Sequence, residues 1–235
     1  MKTRHMILMA LSYVIPLLVF QAIAKNTVVN PTPVSESQRV RHVKDLLGAK
    51  IAHRMGATHP KLPEVMDDFI YEKVKASLKS ARTLETRQIA EAIVAEANRH
   101  GFDPIFLIAV IKRESQFNAE ARGRHGEIGL MQLKPSTGAW IAKEASLPWW
   151  GEDSLLDPVQ NIRLGAAYLS YLRNRWPHKG QYVSAYNVGP KKLRHLLAKN
   201  KTPKIYLGSV LENYEKLYSE VLIEVQSTGV AVAAK

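Results

Sequence analysis

Glu114 is the residue of this 235-residue chain whose position best suits acid–base chemistry. It lies four residues after Val110 and three after Ile111, so an α-helix would place its carboxyl group on an apolar face. Burial on such a face raises the pKa of a carboxyl group, because water no longer stabilises the ionised form. A carboxylic acid that stays protonated near neutral pH can donate its proton to a leaving oxygen. The alternative is a glutamate that merely ends a helix and faces solvent.

Four short motifs occur in order along the chain, and the first of them contains Glu114. Each motif alone carries little information, whereas the combination is specific. They are Glu114-Ser115, Gly129-Leu130-Met131-Gln132, Asn161-Ile162 with Gly165 and Tyr168-Leu169, and Ala185-Tyr186-Asn187-Val188-Gly189. Over roughly residues 86–222 this set resembles the catalytic domain of the soluble lytic transglycosylases, a lysozyme-like helical fold related to goose-type lysozyme.

The resemblance implies a lyase that acts on a polysaccharide. The bond cleaved would be the β-1,4 link between N-acetylmuramic acid and N-acetylglucosamine in peptidoglycan, with formation of a 1,6-anhydromuramic acid end. Glu114 matches the family's catalytic acid and base. Residues that match substrate-binding positions, the first of them by helping to position the site, are Ser115, Met131, Gln132, Tyr186 and Asn187.

Two positions depart from the family pattern. Lys134 stands where many members have Met, and Gly123 stands where many have Ser. Neither position is the acid, so the departures concern the detailed contacts to the sugar and its peptide.

The number of carboxylates distinguishes the mechanisms that remain open. Glycosidases that use two of them hold the second about 5–5.5 Å away as a nucleophile, or about 6.5–9.5 Å away to activate water. No second acid lies in one of the motifs, and Glu127 is the nearby candidate, with a solvated loop charge as the alternative. We expect Glu114 to act alone, assisted by the substrate's N-acetyl oxygen. A hydrolytic muramidase of the same fold would need the second carboxylate, and a non-catalytic peptidoglycan-binding module would be expected to lack Glu114.

Apolar residues recur at helical spacing along the body of the chain, and no strand-like alternating run of any length is present. We therefore predict an all-α fold with at most a small β-hairpin in the Gly-rich segment after Glu114. Asp103-Pro104 and Asp157-Pro158 each supply an N-cap and a proline at the first helical position. From Pro104 to Ile111 the first of these helices is apolar on every side, as in a buried central helix. Besides the helix that starts at Pro104, helices are predicted over residues 38–54, 64–80, 86–100, 136–143, 158–176, 181–187, 190–199 and 205–225.

The N-terminus has the pattern of a secretory signal peptide. Lys2 and Arg4 precede a mostly apolar run that ends at Phe20 and is followed by Ala22-Ile23-Ala24. The run is shorter than the roughly 20 residues of a membrane span. We predict cleavage after Ala24, no stable membrane span after its removal, and export to the periplasm or cell envelope, or outright secretion. An uncleaved N-terminal anchor is the alternative.

The predicted organisation has five parts. They are a signal peptide at 1–24, a flexible leader at 25–37, an N-terminal helical extension at 38–85, the lysozyme-like catalytic domain at 86–225 and a disordered tail at 226–235.

The amino-acid composition limits the classes of partner and cofactor that the protein could bind. The chain has 33 Lys and Arg against 21 Asp and Glu, a net charge of +12, which favours a polyanionic partner. An exported protein rarely meets nucleic acid, so we expect peptidoglycan glycan strands and no nucleic acid. The absence of cysteine excludes disulfides, iron–sulfur clusters and a cysteine nucleophile. The eight histidines have no metal-ligand spacing, so we expect no metal and no cofactor. We also expect the protein to be a monomer.

Overall fold

The structure is a computed structural model that describes residues 35–59, 61–78, 83–176, 178 and 180–233, all within one compact unit. The predicted signal peptide and most of the predicted leader lie outside these ranges.

Helices make up the regular structure of these residues, which confirms the all-α prediction. In chain order they are α1 Glu36–Leu47, α2 Ala49–Arg54, α3 Leu62–Ser77, α4 Thr83–His100, α5 Pro104–Ser115, α6 Pro135–Glu144, α7 Asp153–Leu156, α8 Pro158–Arg175, α9 Gln181–Val188, α10 Pro190–Ala198 and α11 Ile205–Ala233. The predicted hairpin is reduced to isolated β-bridges that pair Ile128 with Arg122 and with Leu133. Among the described helices, none combines the length and apolar character needed to cross a membrane.

Helix α5 lies at the centre of the fold. Asp103 caps it by accepting a hydrogen bond from the Ile105 N–H at 2.9 Å, and Pro104 occupies its first position. Every side chain from Ile105 to Ile111 is at most 1% exposed, with α11 and α4 packed against the helix. Because the whole helix is held by its neighbours, its last turn, which carries Glu114, has a fixed position.

Helix α8 packs against three other helices, α4, α9 and α6. Its N-cap is Asp157, which accepts a hydrogen bond from the Gln160 N–H at 2.7 Å. Gly165, in the middle of this helix, permits a close approach, because a Cβ atom there would lie 2.3 Å from Met131 Sδ. The glycine therefore lets the Gly129–Gln132 loop pack directly onto the helix backbone.

The N-terminal helices share the core of the remaining protein. Arg39 on α1 donates a hydrogen bond to the Tyr218 hydroxyl at 3.0 Å, and Tyr214 and Tyr218 both donate to the Asp103 carboxylate. His42 Nδ1 accepts the Asp103 N–H at 3.2 Å. Burial, with a contribution from the nearby positive charge of an arginine on α8, lowers the pKa of His42 to about 3, so the ring stays neutral. Helix α1 is thus fastened to the N-terminal end of α5.

Two helices differ from the sequence pattern by more than a few residues, and the short helix α7 is not among the predicted ones. Gly48, with φ of +93°, separates α1 from α2 where a single helix is predicted. Helix α11 continues to Ala233, whereas the pattern predicts a disordered tail from residue 226. Val225 is still buried and no proline follows it, so each further residue can add a backbone hydrogen bond to an existing helix.

Candidate active site

Glu114 lines a cleft of about 760 Å³ at the C-terminal end of α5, within the size range of ligand sites. Three of the predicted substrate-binding residues, Gln132, Tyr186 and Asn187, line the same cleft. The other lining residues are His125, Glu127, Leu133, Lys134, Thr137, Tyr168, Val188, Gly189, Pro190 and Lys192. The structure therefore brings together motifs that are up to about 70 residues apart in the sequence.

The Glu114 carboxyl group is in a setting that favours its protonated form. Burial raises its pKa to about 7 from an ordinary value of 4.5. A hydrogen bond from Tyr206 and the charge of Arg113 lower the pKa, and the charge of Glu127 raises it further. Its position at the negative end of the α5 dipole also disfavours the carboxylate. At neutral pH the group is therefore divided between its acid and base forms.

Tyr206 is a site residue that the sequence motifs do not include. It lies at the start of α11, is 6% exposed, and donates its hydroxyl hydrogen to Glu114 Oε1. Burial keeps the pKa of Tyr206 well above 10, so the phenol stays protonated and remains a donor. The Arg113 guanidinium lies over its ring, 5.6 Å from the centroid. Because Tyr206 follows Glu114 by 92 positions, no local sequence pattern predicts their contact.

Gln132 presents a hydrogen-bond acceptor to the cleft. Its backbone has a φ of +49°, which is unusual for a residue with a side chain. Its side-chain amide nitrogen donates to the carbonyls of Ala121 and Gly129 at 3.0 and 2.9 Å, which stabilises this conformation. Both amide hydrogens are thereby used, and the Oε1 atom is left for a ligand.

Met131 holds the site together through its backbone. Its N–H donates to Asn161 Oδ1 at 2.7 Å and its carbonyl accepts the Tyr186 hydroxyl at 2.7 Å. The Met131 side chain, predicted to bind substrate, is fully buried against Gly165 and does not line the cleft. Burial of this apolar side chain in the core stabilises the protein more than its exposure in a polar cleft would.

Ser115 also lies outside the cleft lining. Its hydroxyl donates to the Ile111 carbonyl at 3.3 Å, one turn back in α5. Its contact is with the helix that carries Glu114, so it contributes to the end of that helix and not to the cleft surface.

Asn161 anchors the loop that carries Met131 and Gln132. It is fully buried on α8, and its amide nitrogen donates to the Ile128 and Leu155 carbonyls at 3.0 and 2.8 Å. With the bond from the Met131 N–H, one side chain satisfies three buried backbone groups. The loop position is therefore set by a polar core residue.

Glu127 shares the cleft with Glu114. Burial alone would raise its pKa, but hydrogen bonds from the backbone N–H groups of His125 and of Glu127 itself, together with the charges of Lys134 and His125, lower it overall. The His125 N–H lies 3.0 Å from Oε2, and Lys134 Nζ lies 3.6 Å from Oε1. Gly123 makes room for this carboxylate, since a Cβ there would lie 2.3 Å from Oε2. The two departures from the family pattern, Lys134 and Gly123, therefore both contact Glu127.

Within the described residues, no three histidine, aspartate or glutamate side chains come together in a group that could hold a metal ion.

Comparison with known proteins gives one consistent family. The Transglycosylase SLT domain family matches residues 91–207. The soluble lytic murein transglycosylase of Escherichia coli K12 is 34% identical over 91 residues, which cover 38% of this chain and 14% of that protein. The endo-type membrane-bound lytic murein transglycosylase A of Klebsiella pneumoniae is 44% identical over 77 residues, 32% of this chain and 37% of that protein.

A solved structure gives the same result for the fold. The X-ray structure of an inactive mutant of the lytic transglycosylase Slt from Pseudomonas aeruginosa has a TM-score of 0.51 and 26% identity, covering 74% of this chain and 29% of that one. This chain spans well under half the length of each of these proteins. The matched range 91–207 includes Glu114, Tyr206 and every residue that lines the cleft. Residues 91–207 of this chain are therefore a transglycosylase SLT domain.

Proposed function

We propose that this protein is a peptidoglycan lytic transglycosylase in which Glu114 is the single acid and base. The observation that carries the proposal is the Glu114 carboxyl group, which lines a ligand-sized cleft and has a pKa raised to about 7 by burial. A group with this pKa can both give and take a proton at neutral pH. The names of the relatives, which are murein transglycosylases, supply the substrate class.

In the first step Glu114 acts as an acid. Its proton goes to the oxygen that joins C1 of N-acetylmuramic acid to C4 of N-acetylglucosamine, and the bond between C1 and that oxygen breaks. The carbonyl oxygen of the substrate's own N-acetyl group bonds to C1 and takes up the positive charge, so no protein nucleophile is required.

In the second step Glu114 acts as a base. Its carboxylate takes the proton of the C6 hydroxyl of the same sugar, and O6 bonds to C1 as the N-acetyl oxygen leaves. The product is 1,6-anhydromuramic acid, and Glu114 is again protonated. No water is consumed.

The remaining cleft residues bind and orient the sugars. Gln132 Oε1 and the exposed Asn187 amide offer hydrogen bonds to the substrate. Tyr168 and Tyr186 line the cleft with their ring centroids 5.4 Å apart and provide apolar ring surface. Tyr206 orients the Glu114 carboxyl group through its hydrogen bond. We also propose that the protein is exported and works as a monomer on glycan strands in the periplasm or cell envelope.

A hydrolytic muramidase is the second candidate, favoured by the presence of Glu127 in the same cleft. Its carboxylate is ionised and could in principle direct a water molecule. However, one of its oxygens accepts the His125 N–H and the other faces Lys134, so both are already engaged. This engagement favours the single-acid mechanism.

The test of the acid is a comparison of Glu114→Gln with Glu120→Gln on purified peptidoglycan. The first change removes the proton donor with little change of shape, and Glu120 is an exposed glutamate six residues away that does not line the cleft. We expect Glu114→Gln to abolish release of soluble fragments and to keep binding to the wall, and Glu120→Gln to release fragments at the wild-type rate. Release by Glu114→Gln at more than a few per cent of the wild-type rate would rule out Glu114 as the acid.

A further inference from the structure

The net positive charge of this chain is concentrated in one segment. Residues 158–211 contain ten Lys or Arg and no Asp or Glu, whereas the remaining residues of the chain contain 23 Lys or Arg against 21 Asp or Glu. Almost the whole net charge of +12 therefore arises from less than a quarter of the sequence.

The charge is densest on α10 and the loop after it. This stretch holds six cations that are all exposed, Lys191, Lys192, Arg194, Lys199, Lys201 and Lys204. Within the described part of the chain none of the six forms an ion pair, whereas elsewhere Lys73 and Lys134 do. We call these six residues the basic surface. Since like charges repel one another, an unpaired cluster of this kind lowers the stability of the protein and favours a bound polyanion.

The basic surface is continuous with the cleft. Lys192 belongs to both, and the preceding Gly189 and Pro190 also line the cleft. Leu193, on the opposite side of α10, is fully buried, which fixes the charged side of the helix outward. A polymer that leaves the cleft past Lys192 therefore meets the basic surface at that residue.

We propose that the basic surface binds the carboxylates of peptide side chains on the glycan strand that extends out of the cleft. The inference rests on the proposed function, since it assigns a contact to a strand whose cleaved bond lies at Glu114. In a strand that carries peptides, the lactyl carboxyl group of each substituted muramic acid is used in the amide bond to its peptide, so the negative charge lies on the peptide carboxylates and is complementary to the basic surface. The surface would then hold the enzyme on the wall between cleavages.

The experiment measures binding without cleavage. The full chain carrying Glu114→Gln is sedimented with purified peptidoglycan, either untreated or with its carboxylates converted to neutral amides, at low and at high NaCl concentration. The test variant also replaces Lys199, Lys201 and Lys204 with Gln, three residues that do not line the cleft. Its control replaces the exposed Lys50, Lys143 and Lys216, which lie outside the segment and have the same total charge.

We expect the test variant to bind untreated peptidoglycan about tenfold more weakly than the control at low salt, from three exposed charge pairs of modest strength. Amidation or high salt should remove the difference between the two variants. Thermal unfolding followed by circular dichroism should give the same Tm for both, which excludes a folding defect.

Equal binding of the two variants to untreated peptidoglycan would overturn the proposal. So would a loss of binding to phosphatidylglycerol vesicles with unchanged binding to peptidoglycan, because the partner would then be an anionic membrane. The proposed function is judged separately by the products of the unmutated enzyme. Anhydro products together with equal binding would refute this inference alone, whereas weakened binding without anhydro products would refute the proposed function alone.

Discussion

The Tyr206 hydroxyl donates a hydrogen bond to the Glu114 carboxylate and so joins the first turn of α11 to the last turn of α5. The bond stabilises the ionised form and lowers the pKa of Glu114, while burial raises it by more. The balance between these two effects places the pKa near 7, where one group can serve as acid and then as base.

Tyr206→Phe is expected to move the alkaline limb of the pH dependence of kcat/KM upward by about one pH unit. Removal of the hydrogen bond destabilises the carboxylate, so Glu114 keeps its proton to higher pH. The measurement is the rate of fragment release from peptidoglycan at pH values from 5 to 9, in steps of about half a pH unit. Tyr171→Phe, outside the cleft, is the control. A lower rate with an unmoved limb would show that Tyr206 acts only on the fold.

Glu127→Gln is expected to move the same limb in the opposite direction. The negative charge of Glu127 raises the pKa of Glu114, so its removal lets Glu114 lose its proton at lower pH. The shift should be smaller than for Tyr206→Phe and should shrink as NaCl is added, because it acts through charge alone. An upward shift, or one that salt does not change, would contradict the assigned electrostatics.

Glu114→Gln is expected to make the protein more stable than wild type at pH 8. The pKa of Glu114 is about 7 in the folded protein and 4.5 ordinarily, so the folded state holds the proton more tightly. The contribution of Glu114 to stability is therefore fully present below pH 4.5 and is lost as the pH rises through 7. The free energy of unfolding in urea is measured for the variant and for wild type at pH 4 and at pH 8. The difference between the two proteins should shift in favour of the variant by at most about 3 kcal/mol from pH 4 to pH 8. A difference that does not change with pH would mean that the Glu114 pKa is not raised.

Asn161→Ala is expected to lower the free energy of unfolding by about 2–4 kcal/mol. The change leaves the Met131 N–H and the carbonyls of Ile128 and Leu155 without partners in the core. Activity should fall as well, because Gln132 follows directly in the released loop. Asn174→Ala, at an exposed position of the same helix, is the control and should change stability by less than about 0.5 kcal/mol. Equal effects of the two changes would show that Asn161 does not hold the loop.

The helices could be predicted from sequence because their signals are local. Asp103-Pro104 and Asp157-Pro158 mark the starts of α5 and α8 at the correct residues. The apolar spacing before Glu114 predicts both the buried helix and the raised pKa of the carboxyl group at its end. These features depend on contacts within a few turns, which a sequence displays directly.

The contacts that complete the site could not be predicted, because they join distant parts of the chain. Tyr206 reaches Glu114 across 92 residues, and Asn161 reaches Met131 across 30. Met131 matches a site motif, yet its side chain packs into the core and only its backbone serves the site. A motif identifies which residues belong to a site, whereas tertiary packing decides which atoms face the substrate.

The mass of the released muropeptides tests the central claim most directly. If Glu114 acts alone and O6 displaces external water, the fragments should carry 1,6-anhydromuramic acid and be lighter by one water than hydrolysis products. Glu127→Gln should release the same anhydro fragments, since its carboxylate takes no part in bond formation. Wild-type fragments that end mainly in reducing muramic acid, and that disappear in Glu127→Gln, would contradict the account and identify a two-carboxylate hydrolase.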